Sequence, residues 1–446
     1  MARNKDQGAL LSCSDFSALS GISFFVGEGN SPLDRPENMV HHTIKTKSAK
    51  ANKASSKIRA MSTIPFLLST RLRSVWALAA IVGSLVACSV TPMRDEPVQT
   101  SPSATPPTRD TGPLPPEIMQ AKSRWVPVPW SDLPGLDTDA LHEAWPAWLQ
   151  SCSRPSKPWV ALCPQIKQMA NASAAVQRSW IRQNLQAYRV ESLTPPSEGL
   201  LTAYYEPVLN AVRQARPGFQ VPLYAPPADL NKRKPWYTRQ EMETLPAARA
   251  ALRGKELVYL ADPVDAMVLH IQGSGLINVI ESDGRQRMVR LAFAGTNEQP
   301  YKSIGRWLLD QNLIRDASWP GIKAWIERNP TRVNTLLWQN PRVVFFKEEA
   351  LLVGAVPPGP KGAQGVPLTA ERSIAVDRSS IPYGTPVWLK SVGTQTTLDR
   401  LVLAQDTGTA IVGAVRADYY AGSGPAAGEL AGRMKQPLQL WALWPR

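Results

Sequence analysis

The residues best suited to chemistry stand near the C-terminal end of the sequence. Leu401 to Gly424 reads LVLAQDTGTAIVGAVRADYYAGSG, in which the apolar residues Leu401 to Ala404 form a short buried strand that stops at Gln405, Asp406, Thr407 and Gly408. A carboxylate is thereby set at the mouth of a strand. Gly408 and Gly413 allow positive φ and close backbone approach, so the chain can turn tightly around Asp406. Ile411 and Val412 return the chain to the core, and Asp418 follows with Tyr419 and Tyr420 beside it. Upstream, IAVDRSSIPYGT (Ile374 to Thr385) sets another acid, Asp377, after a short β-type run. Carboxylates can move protons, and aromatic faces with hydroxyls suit sugar rings, so this composition fits acid–base work in a sugar-binding cleft. The same pattern also has a plainer use, since an Asp just after a strand commonly caps a turn or helix.

Other polar positions are candidates for substrate contact. Tyr204 and Tyr205 precede Glu206-Pro207, and strand alternation puts one ring on each face. Gln272-Gly273-Ser274-Gly275 combines an amide and a hydroxyl with two glycines, which suits either a closely approached sugar or a polar hairpin turn. Thr407 and Gly408 beside Asp406 belong to the same set, and Lys302 or Arg306, opening a helix, can meet an acidic group. Cys152 and Cys163 with four scattered histidines (His41, His42, His142, His270) give no metal-ligand spacing, so no metal or cofactor is expected.

The elements that must position these residues are mainly β. Helical patterns run from Leu141 to Leu149 and from Ile166 to Tyr188, then short apolar runs take over at Leu200–Tyr205, Leu257–Tyr259, Ala266–Ile271, Gly275–Ile280, Met288–Phe293 and Val343–Phe346. Further helices are expected over Ile304–Gln311 and Ile322–Arg328. Pro and Gly punctuation between the runs suggests barrels more than a sandwich.

The N-terminal part is of another kind. Residues 1–60 lack sustained periodicity, and Met61 opens a better start: Arg71 and Arg73, an apolar run from Val75 to Ala87, then Cys88. A basic segment, about a dozen apolar residues and small residues before the cut define a secretory signal too short to span a bilayer. Leu85-Val86-Ala87-Cys88 resembles a bacterial lipobox, which implies that Cys88 becomes a lipidated first residue. Ser89 stands where an inner-membrane retention signal would place Asp, so the expected location is the periplasmic face of the outer membrane of a Gram-negative bacterium. Residues 89 to 118 are rich in Pro, Ser and Thr and read as an extended tether. With Cys13 removed and Cys88 modified, Cys152 and Cys163 remain to close a disulfide in an oxidising compartment. The formal charge of +14 falls to +8 once residues 1–87 are set aside. A moderate positive balance suits an acidic polymer, and without a basic cluster interleaved with aromatics nucleic acid is not the expected one.

Several motifs in order resemble one family. AVDRSSIPYGT, AQDTG and RADYYAGSGP look like the three-aspartate (3D) domain, while GLLTAYYEP (Gly199 to Pro207), HIQGSG (His270 to Gly275) and AGTNEQPYKSIGRWL (Ala294 to Leu308) resemble the membrane-bound lytic murein transglycosylase A (MltA) family. The resemblance implies a double-psi β-barrel with a second β-domain inserted into it and a substrate groove between the two. The corresponding division is 1–60, a misassigned or dispensable extension; 61–87, the lipoprotein signal; 88–118, the lipidated Cys and tether; 119–209, packing helices and the first part of the barrel; 210–340, the insert; 341–446, the rest of the barrel with the 3D motifs. It also implies cleavage of the β-1,4 bond from N-acetylmuramic acid to N-acetylglucosamine without water, with Asp406 as the single acid and base and Asp377 and Asp418 in support. Thr409 replaces an expected Gly in that turn. Two other readings stay open: a muramidase on the same scaffold, using Glu206 or Asp418 as a second carboxylate, and a murein-binding lipoprotein that does not cut. The expected partners are peptidoglycan glycan strands and, through the anchor, a membrane; no murein synthase partner is assigned.

Overall fold

The computed structural model describes residues 112–194, 198–351, 357–394 and 396–446. The leader, Cys88 and most of the tether lie outside the described residues. The first strands are β1 (Ile118–Met119), β2 (Ser123–Val128), β3 (Leu185–Ser192) and β4 (Gly199–Glu206). There follow β5 (Val208–Val212), β6 (Val221–Tyr224), β7 (Glu256–Leu260), β8 (Gly275–Ile280), β9 (Gln286–Thr296) and β10 (Val344–Ala350). The last are β11 (Ser373–Val376), β12 (Pro386–Val392), β13 (Thr397–Asp406), β14 (Arg416–Ser423) and β15 (Lys435–Pro445).

Six of these strands close a double-psi barrel in the order β4-β14-β11-β13-β12-β15, with β15 returning to pair with β4. The pairs β11–β13 and β14–β4 are parallel and the rest antiparallel. Period-two alternation sends Leu201, Ile374, Val376, Val402, Ala404, Ala417 and Tyr419 inward, where they pack in one buried cluster. Over one side of the outer face lies a helical layer, Leu141–Ser151, Cys163–Gln168 and Ala174–Asn184. Trp145, Trp148, Trp159 and Trp180 meet there at centroid distances of 5.1 to 6.3 Å and pack on Trp388, Leu401 and Leu403 of the barrel. The Cys152–Cys163 disulfide closes this layer, and the buried Arg372–Asp139 pair, at 3.0 Å, ties it to the middle of β13 through the Leu401 amide.

After β4 the chain leaves the barrel and builds a second sheet, β10-β9-β8-β5-β7-β6, before returning at β11. Its core gathers Leu223, Val258, Leu260, Leu269, Ile277, Val289 and Phe346. Two expectations give way here and in the helical layer. Ala266–Ile271 is not a strand but part of a helix, Pro263–Gln272. Asp262 accepts the Val264 amide as N-cap, Pro263 takes the first turn, and Gly273 ends the helix in the left-handed region at φ 83°, so start and stop signals overrode a short apolar run. The single helix expected over Ile166–Tyr188 is broken: it stops near Gln168, restarts with Ser173 as N-cap, and gives way at Leu185 to β3, which pairs with β2 and β15.

One ion pair sits where the chain passes from barrel to insert. Glu206, at the end of β4, is 1% exposed; Arg290 of β9 donates to both its oxygens at 2.6 and 3.1 Å and to the Pro358 carbonyl, and Ser423 donates to it at 3.1 Å. Burying two charges is costly unless each is fully paired, and here both are. Glu206→Gln is therefore expected to lower unfolding free energy by about 3–5 kcal/mol, because it strands a buried guanidinium, whereas Glu206→Leu with Arg290→Met costs much less. Urea denaturation of the two variants checks this; equal losses would contradict it.

Candidate active site

The site begins with a register slip. Ser373 and Ile374 of β11 pair with Leu403 and Ala404 of β13, but Ala375 pairs with Asp406, so Gln405 is the extra residue of a β-bulge. Without the bulge Gln405 would lie opposite Ala375 and Asp406 would follow the inward phase of Ala404 and Val402; the bulge re-aims it to the outer face. Gln405 is held in that place. Its Nε2 donates to the Ala147 carbonyl at 2.7 Å and to Ser151 Oγ at 2.8 Å, both on helix Leu141–Ser151, and its Oε1 accepts from Ser373 at 2.5 Å.

From Asp406 an in-register row crosses the outer face of the barrel. Ala375 pairs with both Asp406 and Asp418, Asp418 pairs with Thr202, and Thr202 pairs with Lys435. Paired residues share a face, so all five side chains look outward together. They form one wall of a groove with about 270 Å³ of water-accessible space. The opposite wall comes from the insert and includes Gln272, Tyr301, Ser303, Trp319, Ile322 and Arg342.

The Asp406 carboxylate is partly open to this groove and otherwise well held. Tyr204 Oη donates to Oδ2 at 2.8 Å and the Ala363 amide donates to Oδ1 at 2.9 Å. Burial pushes its pKa up from the ordinary carboxylate value, and the charge of Asp418 adds to that; the hydrogen bonds from the Thr407 amide, Tyr204 and Ala363 pull the other way without cancelling it. Asp418 is also raised by burial, against the opposing pull of Arg416 and of Thr202, whose hydroxyl donates to it at 2.5 Å. Burial and the two neighbouring carboxylates keep the Tyr204 phenol protonated, so it remains a donor, and its ring packs on Tyr420 at 5.3 Å.

The other singled-out residues fall in different places. Tyr205 lines the groove, its amide donating to Gln272 Oε1 at 3.0 Å and its ring lying over Gly428, where a Cβ would come within 2.9 Å. Thr407 and Gly408 line the groove as well, the Thr407 hydroxyl donating to the Val376 carbonyl at 2.8 Å. Asp377, Glu206 and Ser274 do not line it. Asp377 accepts from Lys122 Nζ at 2.9 Å and from the Ser379 and Gly413 amides at 3.0 Å each, so it pins the loop that follows Asp406. Burial works against its charge, yet these donors together hold its pKa below the usual range. Arg306 is engaged by Asp310 at 2.7 Å, and Ser303 caps its helix. Among the described residues no group of three or more His, Cys, Asp and Glu is placed to hold a metal.

Known proteins resemble this chain. The model of the MltA specific insert domain matches residues 200–347 and that of the 3D domain residues 372–444. Membrane-bound lytic murein transglycosylase A of Vibrio cholerae is 36% identical over 259 residues, 55% of this chain and 65% of its own length. The protein of the same name from Escherichia coli K12 is 33% identical over 271 residues, 58% of this chain and 69% of its own length. The chain belongs to the membrane-bound lytic murein transglycosylase A family. Among solved MltA-like structures, the lytic transglycosylase LtgG of Burkholderia pseudomallei is 42% identical with a TM-score of 0.52, covering 74% of this chain and 98% of its own. E. coli MltA with bound chitohexaose is 25% identical with a TM-score of 0.56, covering 76% and 96%. Residues within both matched segments line the groove.

Reading the sequence missed Thr202, the Ala363 amide and Arg416, which donates to Thr202 Oγ1 at 2.8 Å. The glycines of PPGPKGAQGVP were the available signal for Ala363: a Cβ on Gly362 would lie 2.6 Å from the Gln405 carbonyl, so only Gly lets this loop come close.

The pairing predicts opposite responses. Tyr204→Phe removes a donor that favours the charged carboxylate, so the Asp406 pKa should rise; Asp418→Asn removes a neighbouring negative charge, so it should fall. Carbonyl-carbon NMR titration of Asp406 in the two variants reads this directly, and shifts of the same sign would exclude the arrangement.

Proposed function

We propose that this enzyme, a peptidoglycan lytic transglycosylase, uses Asp406 as its single acid and base. The observation that carries the reading is the distribution of carboxylates: among the described residues those lining the groove are Asp406 and Asp418, and both stand on the barrel wall with one strand between them. A hydrolytic glycosidase sets its two carboxylates on opposite faces of the sugar, across the scissile bond. The insert wall offers no such group, and Glu206, the rival acid, is consumed by Arg290. The muramidase reading therefore lacks its second carboxylate, and the bound chitohexaose of the E. coli relative supports a groove that takes β-1,4-linked amino sugars.

The mechanism follows from these atoms. Asp406, its pKa raised by burial, enters protonated and gives its proton to the glycosidic oxygen as the bond to the muramoyl anomeric carbon breaks. The resulting carboxylate is stabilised where it stands by Tyr204 and the Ala363 amide. It then takes the proton of the 6-hydroxyl of the same muramoyl residue, whose oxygen bonds to the anomeric carbon and closes a 1,6-anhydro ring. The attack is intramolecular, so high effective molarity replaces an activated water. Asp418 with Thr202 and Arg416 fixes the outer strands beside the acid, and Asp377 fixes the loop after it.

The finer location belongs to the same proposal. The relatives are named membrane-bound, and among the described residues no helix is long and apolar enough to cross a membrane. A lipid on Cys88 after removal of the signal 61–87, with residues 89–118 as tether, places the domains at the periplasmic face of the outer membrane and within reach of murein.

Murein digested with protein lacking residues 1–88 should release muropeptides one water lighter than hydrolytic products, seen by mass spectrometry. Asp406→Asn should cut the rate by roughly 10²–10⁴-fold. Full-mass reducing ends would mean hydrolysis, and retention on murein without release would mean a binding protein. For the anchor, Cys88→Ser should abolish incorporation of radiolabelled palmitate and move the protein to the soluble fraction; unchanged labelling would exclude Cys88.

A further inference from the structure

The in-register row has an acidic and a basic end. Asp406 and Asp418 hold the first half; at the other end Arg433, the last residue of helix Pro425–Arg433, and Lys435, the first of β15, both line the groove and are exposed. Four strand-to-strand steps separate Asp406 from Lys435, roughly 19 Å along the curved sheet and less in a straight line, because the barrel closes on itself. Of the other groove cations, Arg416 is turned to Thr202 and the Leu200 carbonyl and faces Asp418, and Arg342 donates to the Gln299 carbonyl at 3.1 Å. Arg433 has no such engagement. Glu429 stands one turn earlier on its helix, yet among the described residues no carboxylate lies within ion-pair distance of Arg433. Among the described residues no groove-lining acid stands at this end.

A guanidinium in a glycan groove, far from the acid and without a carboxylate of its own, is arranged for an anion brought by the ligand. We propose that Arg433 forms a carboxylate subsite, occupied by an acidic group carried on a muramoyl residue other than the one whose bond Asp406 cleaves. This rests on the reading of the groove as a glycan site. Two carboxylate sources share this chemistry: the free lactyl group of a strand stripped of its peptides, and the carboxylates of an attached stem peptide. The subsite gives the groove a means to tell murein from uncharged chitin-like strands, and it sets which ring occupies the cleavage position.

The test uses the full chain in detergent with Asp406→Asn, so that ligands bind without turnover. Dissociation constants are measured for three probes: chitohexaose, a six-ring alternating murein glycan without peptides, and the same glycan with stem peptides. The parent should prefer at least one carboxylate-bearing glycan to chitohexaose. Arg433→Gln should cut that preference about two- to fivefold, in keeping with an exposed charge pair, and Arg433→Lys should keep most of it. A loss confined to the stripped glycan assigns the lactyl group, and one confined to the peptide-bearing glycan assigns the peptide. Equal changes for all three probes, or none, overturn the subsite. Failure of the parent to bind any probe overturns the glycan reading itself, a separate outcome.

Discussion

The structure depends on one inserted residue in one strand. Gln405 breaks the phase of β13 just where apolar burial ends, and by doing so turns the next residue, Asp406, to the outer face of a barrel whose interior is otherwise sealed by side chains. The slip is not a loose end. The Gln405 amide is buried and bonded to helix Leu141–Ser151 on one side and Ser373 on the other, so the tryptophan-rich helical layer, remote from the groove, sets the direction of the acid. The Arg372–Asp139 pair and the Cys152–Cys163 bridge belong to the same support, since the first holds that layer against β13 and the second ties two of its helices together. A preorganised carboxylate needs this kind of rigid backing, because small displacements from productive geometry are expensive in rate.

The two walls of the groove divide the work. The barrel wall carries charge and hydrogen-bonding groups in a register fixed by backbone pairing, while the insert wall carries Tyr301, Trp319 and Ile322, whose apolar faces suit sugar rings. The Glu206–Arg290 pair lies behind their junction, and its Ser423 and Pro358 contacts draw β4, β9, β14 and the loop before β11 onto one buried point. The separation of the walls is thus tied to the part of β4 that also delivers Thr202 and Tyr204.

What the sequence disclosed and what it hid have physical reasons. An apolar run ending in an acid and followed by glycines is a local signal, and it located Asp406, its turn and the neighbouring tyrosines; the motifs in order named the barrel and its insert. The bulge is invisible to such reading, because one extra residue leaves composition and run length unchanged and is defined only by the partner strand. Thr202 and the Ala363 amide were hidden for a related reason: they reach Asp418 and Asp406 from 216 and 43 residues away. Glu206 and Asp377 show a related limit. Each is an acid at a strand end, as Asp406 is, and only the donors around them, Arg290 for one and Lys122 with two amides for the other, set them apart from an acid that faces the groove. Ala266–Ile271 was read as a strand because its apolar run is short, although Asp262-Pro263 and Gly273 marked both ends of a helix.

The barrel is closed by β15, the last of its strands in chain order, which pairs with β4 at one end and with β12 and β3 at the other. Its contacts with β3 and β4 span more than two hundred residues, so loop closure must be achieved late in folding. While a ribosome still holds Lys435–Pro445, β4 lacks one neighbour and the groove lacks one end. The groove is therefore complete only after the last strand of the chain has been synthesised and paired.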